Sequence, residues 1–203
     1  MAEALAACAP IDVLVNSAAF LSDKGAIKDT PVSNFWTAFE INVRAPFILA
    51  QHFLRNCSAD GVFMAVSSSL SHFPGSAVTT APASYASSKI ATAKLVEYIA
   101  QENRSIRAYS VHPGVIDTTM SQKSVAMAEG PFEIEWDEPN VASDFMVWLS
   151  SSEGKDTIPS GRFVWVNWDV EELKRRKSEI WQNPKALTIG LVDAPMGEPE
   201  AIE

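Results

Sequence analysis

The chain has 203 residues, 47% apolar and 20% charged, with a net charge of −9. That is a globular composition, long enough to bury one sizeable core, and the acidic balance argues against a nucleic-acid binder. Two cysteines, Cys8 and Cys57, form no CxxC pair, and His52, His72 and His112 are scattered, so no metal site is expected and the protein reads as reduced, intracellular and cytoplasmic.

The opening "MAEALAACA" reads as the last turns of a helix. It lacks a basic stretch, carries Glu3 and runs into Asp12, which argues against a signal peptide. No apolar run reaches the ~18 residues of a membrane span. Then comes "IDVLVN" (11–16), the first of four nearly all-apolar runs, followed by "GVFMAVS" (61–67), "IRAYSVH" (106–112) and "RFVWVN" (162–167). Such runs suit parallel strands covered on both faces. Helical patterns over 31–56, 84–103 and 139–151 alternate with them. The alternation predicts an α/β fold with four parallel strands in sequence order, and right-handed crossovers are expected to place helices on both faces. One domain is expected over 1–190, with a loose tail over 191–203 that holds Pro195 and Pro199.

The helix from Thr30 is expected to be capped by Thr30, with Pro31 in its first turn. Its apolar stripe runs Phe35, Phe39, Pro46, Leu49 and Phe53 but meets Asn42 midway. A buried asparagine requires hydrogen-bond partners, either as a satisfied core residue near a break at Pro46 or as part of a site. The stretch 118–138 lacks periodicity and reads as an irregular loop with one short helix. Asp169 and Glu172 resemble a capping box. The basic run "KRRK" (174–177) is flanked by acids and reads as a solvated helix face.

The candidate chemistry lies in "SYASSKIATAK" (84–94). Tyr85 and Lys89, four apart, share a helix face. A phenol titrates near pH ~10, and a neighbouring ammonium is expected to lower that value and make an acid/base unit. Three strand ends add to it: "VNSAA" with Asn16, "AVSSSLSH" with several hydroxyls, and "HPGVIDTTM", where Pro113-Gly114 breaks the strand before Thr118. Carboxyl ends of strands are where α/β sheets keep their sites.

Taken in order, these segments resemble the short-chain dehydrogenase/reductase family, and the ending "GRFVWVNWDVEELKRRKSEI" resembles its fungal members, some of them in secondary metabolism. "NSAA" (16–19) is similar to the family's Asn-Asn-Ala-Gly, with Ser17 and Ala19 as departures. Asn42 in "INVRAPF" matches its helix asparagine. Ser68 matches its catalytic serine, with Ser69 as the alternative. Tyr85 and Lys89 match Tyr-x-x-x-Lys, and "PGVIDT" (113–118) matches its Pro-Gly motif. The resemblance spans about residues 3 to 190 and implies a three-layer Rossmann-like parallel sheet. Its first strand, Gly-x-x-x-Gly-x-Gly turn and pyrophosphate-binding helix have no counterpart among the nine glycines, so the domain is expected to be N-terminally truncated.

The resemblance implies hydride transfer between a nicotinamide, NADP ahead of NAD, and a small-molecule carbonyl or alcohol. Tyr85 would exchange the proton, Lys89 would lower its pKa and hold the nicotinamide ribose, Ser68 would polarise the carbonyl, and Asn42 would support a relay water near Lys89. Asn16 would touch the adenosine-side ribose, while Val115 and Thr118 would meet the carboxamide. Phe132, Ile134 and Trp136 hint at an apolar substrate. A homo-oligomer is expected through helices 31–56 and 84–103, with Ala86, Ala93 and Ala100 as its small outer residues. The alternative is a truncated, inactive protein that acts in interactions, and weak turnover is expected of these 203 residues by themselves.

Overall fold

The computed structural model describes residues 10–75, 82–127 and 134–191. Four strands, β1 (Ile11–Asn16), β2 (Cys57–Val66), β3 (Arg107–His112) and β4 (Arg162–Trp165), form one sheet in that order, every neighbouring pair parallel. Helices α1 (Val32–Phe39) and α2 (Ala45–Asn56) connect β1 to β2, and α3 (Ala83–Glu102) connects β2 to β3. Between β3 and β4 come α4 (Thr119–Ala126), α5 (Pro139–Ser150) and α6 (Ser152–Thr157), and α7 (Val170–Arg175) and α8 (Lys177–Gln182) follow β4.

The central strands are apolar at odd and even positions alike, so both faces of the sheet are buried. Phe63, Ala65 and Ala108 pack with Ala50 and Phe53 of α2 and Val96 and Ile99 of α3. Val62, Met64, Tyr109, Val111 and Val164 pack on the other face with Ala142, Phe145 and Leu149 of α5, and with Leu173 and Ile180 beyond β4. The result is the expected three-layer α/β sandwich.

One expectation fails. The strand order is monotonic, yet α3 and α5 cover opposite faces, so their connections have opposite hands and uniform right-handed crossovers do not hold. The α3 face of β4 is occupied instead by the loop after β2. The His72 ring lies 5.0 Å from Phe163 and 5.5 Å from Trp165.

Local boundaries also differ. β2 starts at Cys57, before the apolar run, through a register shift opposite Ile11 and Val13. Thr30 does not cap α1: Pro31 occupies the N-cap without a side-chain bond, and the Thr30 hydroxyl donates to the Ala26 carbonyl at 2.9 Å. Asp169 does cap α7, accepting from the Glu171 and Glu172 amides. The basic run spans two short helices, with Lys174 on Glu153 and Glu171, and Arg176 on Glu179. The expected helix over residues 1–9 and the tail beyond 191 lie outside the described residues.

Candidate active site

The site begins with a defect in a helix. Pro46 has no N–H, and its ring crowds the carbonyl four residues back. The helix opens into a π-turn at Glu40–Arg44, and the displaced Asn42 carbonyl accepts a 2.5 Å hydrogen bond from the Thr92 hydroxyl of α3. The break therefore precedes Pro46, which sits in the first turn of α2. The Asn42 side chain is 1% exposed. Its Oδ1 accepts from the Phe20 amide at 2.7 Å, and its Nδ2 donates to the Phe20 carbonyl and to Ser88 Oγ, both at 2.9 Å. These bonds stitch the loop after β1 onto α3, which carries Tyr85 and Lys89.

Tyr85 and Lys89 share the buried face of α3, with the Lys89 Nζ 5.6 Å from the Tyr85 ring centroid. The ammonium donates to the Val66 carbonyl at the end of β2, at 2.7 Å. Of the two candidate serines, Ser68 is the one whose side chain acts on the Tyr85 hydroxyl, holding its pKa down. Ser68 also accepts from the Leu70 amide at 3.3 Å, at the head of the 3-10 turn Ser69–Ser71.

The electrostatics differ from expectation. Burial pushes the Tyr85 hydroxyl up to about 12, opposed by the Ser68 side chain, and pushes Lys89 down to about 8. The lowering of Tyr85 by Lys89 is not seen, because withdrawal from water disfavours the phenolate and the ammonium alike. His112 ends β3, also buried, and burial pushes it down to about 4, so it is neutral against the Trp165 ring at 4.4 Å.

These groups open onto a cavity of about 620 Å³ at the carboxyl ends of β1, β2 and β3. Among the residues picked from sequence, Ser68, Ser69, Tyr85, Lys89, Val115 and Thr118 line it; Asn16 and Asn42, both buried, do not. Ile134 reaches the wall, Trp136 stays outside at 38% exposure, and Phe132 lies outside the described residues. Sequence reasoning missed Leu21, Leu70, His112, Met120 and Met146 on the wall. It also missed Asp137, whose Oδ2 accepts from the Val115 amide at 2.6 Å while its own amide donates to the Val115 carbonyl at 2.9 Å. A spacing of 22 residues carries no periodic signal that could have found this pair.

A family model described as enoyl-(acyl carrier protein) reductase matches residues 1–139. The short chain dehydrogenase/reductase AacuD of Aspergillus aculeatus is 33% identical over 199 residues, covering 95% of this chain, which spans 65% of that protein's length. Among solved structures, a short chain dehydrogenase from Salmonella enterica serovar Typhi superposes with a TM-score of 0.68 at 24% identity, over 82% of this chain and 67% of that one. The landomycin C-6 ketoreductase LanV, solved with bound NADP and rabelomycin, gives 0.62 at 24% identity over 76% of this chain and 59% of that one. At such identities the two structures speak to the fold.

Proposed function

The chain belongs to the short-chain dehydrogenase/reductase family, and we propose that it carries the proton-transfer centre of an NAD(P)-dependent oxidoreductase interconverting a carbonyl and an alcohol. The observation that carries this reading is the convergence of Ser68, Tyr85 and Lys89 on one cavity wall, with Tyr85 and Lys89 one helical turn apart. In the reductive direction Ser68 donates a hydrogen bond to the substrate oxygen and polarises its carbonyl. Tyr85, raised to about 12 and so protonated at neutral pH, gives its proton to that oxygen. Lys89 then stabilises the tyrosinate left behind, held in place by the Val66 carbonyl.

The residues fit a nicotinamide riboside. Only one of the three ammonium donors of Lys89 is taken by Val66, and the residue lines the cavity, so donors remain for ribose hydroxyls. A nicotinamide bound here supplies or accepts the hydride. Val115 and Thr118 would meet its carboxamide. Asn42 would act from behind α3, through Phe20 and Ser88, and Asn16 would reach the adenosine-side ribose. The NADP bound to LanV supports NADP ahead of NAD. A wall built from Leu21, Leu70, Ile116, Met120, Ile134 and Met146 suits an apolar substrate, and the ketoreductase LanV supports a ketone. A place in fungal secondary metabolism, as the resemblance implies, belongs to the same proposal.

A second copy of the chain is proposed as partner, through the outer faces of α2 and α3. Of the small residues expected there, Ala93 and Ala100 are buried, Ala100 among the side chains packed on the sheet, while Ala86 is half-buried. The exposed apolar side chains are Phe47, Ile48, Ile90 and Tyr98.

The function is tested by following nicotinamide absorbance with NADPH and a panel of aromatic ketones. Turnover is expected to be slow, because these 203 residues hold no glycine-rich pyrophosphate turn. Tyr85→Phe is expected to abolish what there is. Equal turnover in both proteins would overturn the assignment.

A further inference from the structure

Val115 is 41% exposed on the cavity wall. Its N–H and C=O present one donor and one acceptor, the complement of a primary carboxamide. Both groups are already taken by Asp137. The Asp137 amide donates to the Val115 carbonyl at 2.9 Å, and Oδ2 accepts from the Val115 amide at 2.6 Å. The second carboxylate oxygen is anchored by Asn167 Nδ2 at 2.6 Å, from the turn after β4. Gly114 makes the room: it sits at φ +79, and a Cβ there would stand 2.5 Å from Asp137 Oδ2 and 3.2 Å from Asn167 Oδ1. Three stretches distant in sequence thus converge on one main-chain amide.

We infer that Asp137 is an internal competitor for the Val115 amide, which a nicotinamide carboxamide must displace before it can dock; this rests on the reading of the cavity as a nicotinamide site. The amide has a single proton. A carboxylate accepts it in a charge-assisted bond, whereas the carboxamide oxygen of a ligand offers a neutral one. The exchange therefore costs binding, and it weakens the hold on nicotinamide in both redox states. A purely structural Asp137 would act with the opposite sign, because loosening the Pro113–Thr118 turn would weaken the ligand's seat.

The test uses the 203-residue chain, nitrogen-15 labelled, with nicotinamide mononucleotide as the probe. Asp137→Ala is expected to speed hydrogen exchange at the Val115 amide while leaving Tyr109 in β3 unchanged, and to tighten mononucleotide binding about tenfold, the loss of one charged hydrogen bond. Asp137→Asn keeps the size without the charge and should fall between the two proteins, which protects the test if the alanine variant folds poorly. Unchanged or weaker binding in both variants, or unchanged Val115 exchange, would overturn the inference. If the mononucleotide shifts Tyr85 and Lys89 resonances in every variant without a gain in affinity, the nicotinamide site stands and the competition falls. If it shifts them in none, the site reading fails and the competition falls with it.

Discussion

The hydroxyl of Thr92 on α3 donates to the main-chain carbonyl of Asn42 at 2.5 Å, replacing the partner that Pro46 cannot supply. Thr92→Val keeps the shape but leaves a buried carbonyl unpaired. The variant is expected to lose about 1–3 kcal/mol, read from urea unfolding. A midpoint equal to wild type would show that the π-turn satisfies this carbonyl in some other way.

Ser68 and Ser69 can be separated by kinetics. Ser68 acts on the Tyr85 hydroxyl, holding its pKa down, and both serines line the cavity. Ser68→Ala is expected to lower kcat/KM by about 10²–10³, the usual cost of losing one donor to a developing oxyanion. Ser69→Ala should stay within about threefold, well under the 1.4 kcal/mol that a tenfold change represents. The reverse order would move the carbonyl seat to Ser69.

Tyr85→Phe removes a proton and little else. The ring is buried at 8% exposure, so stability should change by no more than about 1 kcal/mol, the net worth of one hydrogen bond. Activity should fall by at least about 10²–10⁴, the usual contribution of general acid catalysis. Circular dichroism and the ketone assay together distinguish a folded, inactive variant from an unfolded one.

Stability should carry a signature of the buried pair. Burial depresses Lys89 from 10.5 to about 8. Its neutral form is favoured in the folded chain, so this contribution is complete above 10.5 and is lost as pH falls through about 8. Tyr85 acts oppositely: raised from 10.0 to about 12, its contribution is complete below 10.0 and lost as pH rises through about 12. Unfolding free energy should therefore gain about 3 kcal/mol from Lys89 between these limits as pH rises, at 1.36 kcal/mol per pKa unit. Lys89→Met should flatten that slope in a urea series. A slope unchanged by the substitution would assign it to other groups.

Association through α2 and α3 predicts that Ile90→Arg lowers the mass measured by light scattering, since a charge on an apolar interface core is not solvated. Gly75→Arg, on the loop after β2 with open space around it, is the control. A monomeric wild type at every concentration would end the proposal.

Local pattern alone determined most of the fold. Near-continuous apolar runs become the interior of a parallel sheet because both faces need cover, and spacing by four places Tyr85 and Lys89 on one helix face whatever surrounds them. The cavity's position follows as well, since hydroxyls and a Pro-Gly break stand where strands end. Contacts between distant residues were decided only in three dimensions. Asn42 finds Phe20 across 22 residues, Ser88 across 46 and Thr92 across 50, distances that no helical or strand period encodes. The choice of Ser68, the loop that covers one face of β4 while α5 covers the other, and the Asp137 clamp on Val115 have the same origin. So does the sign of the Tyr85 shift: spacing placed a cation beside the phenol, but burial depends on the whole packed core, and here desolvation sets the direction.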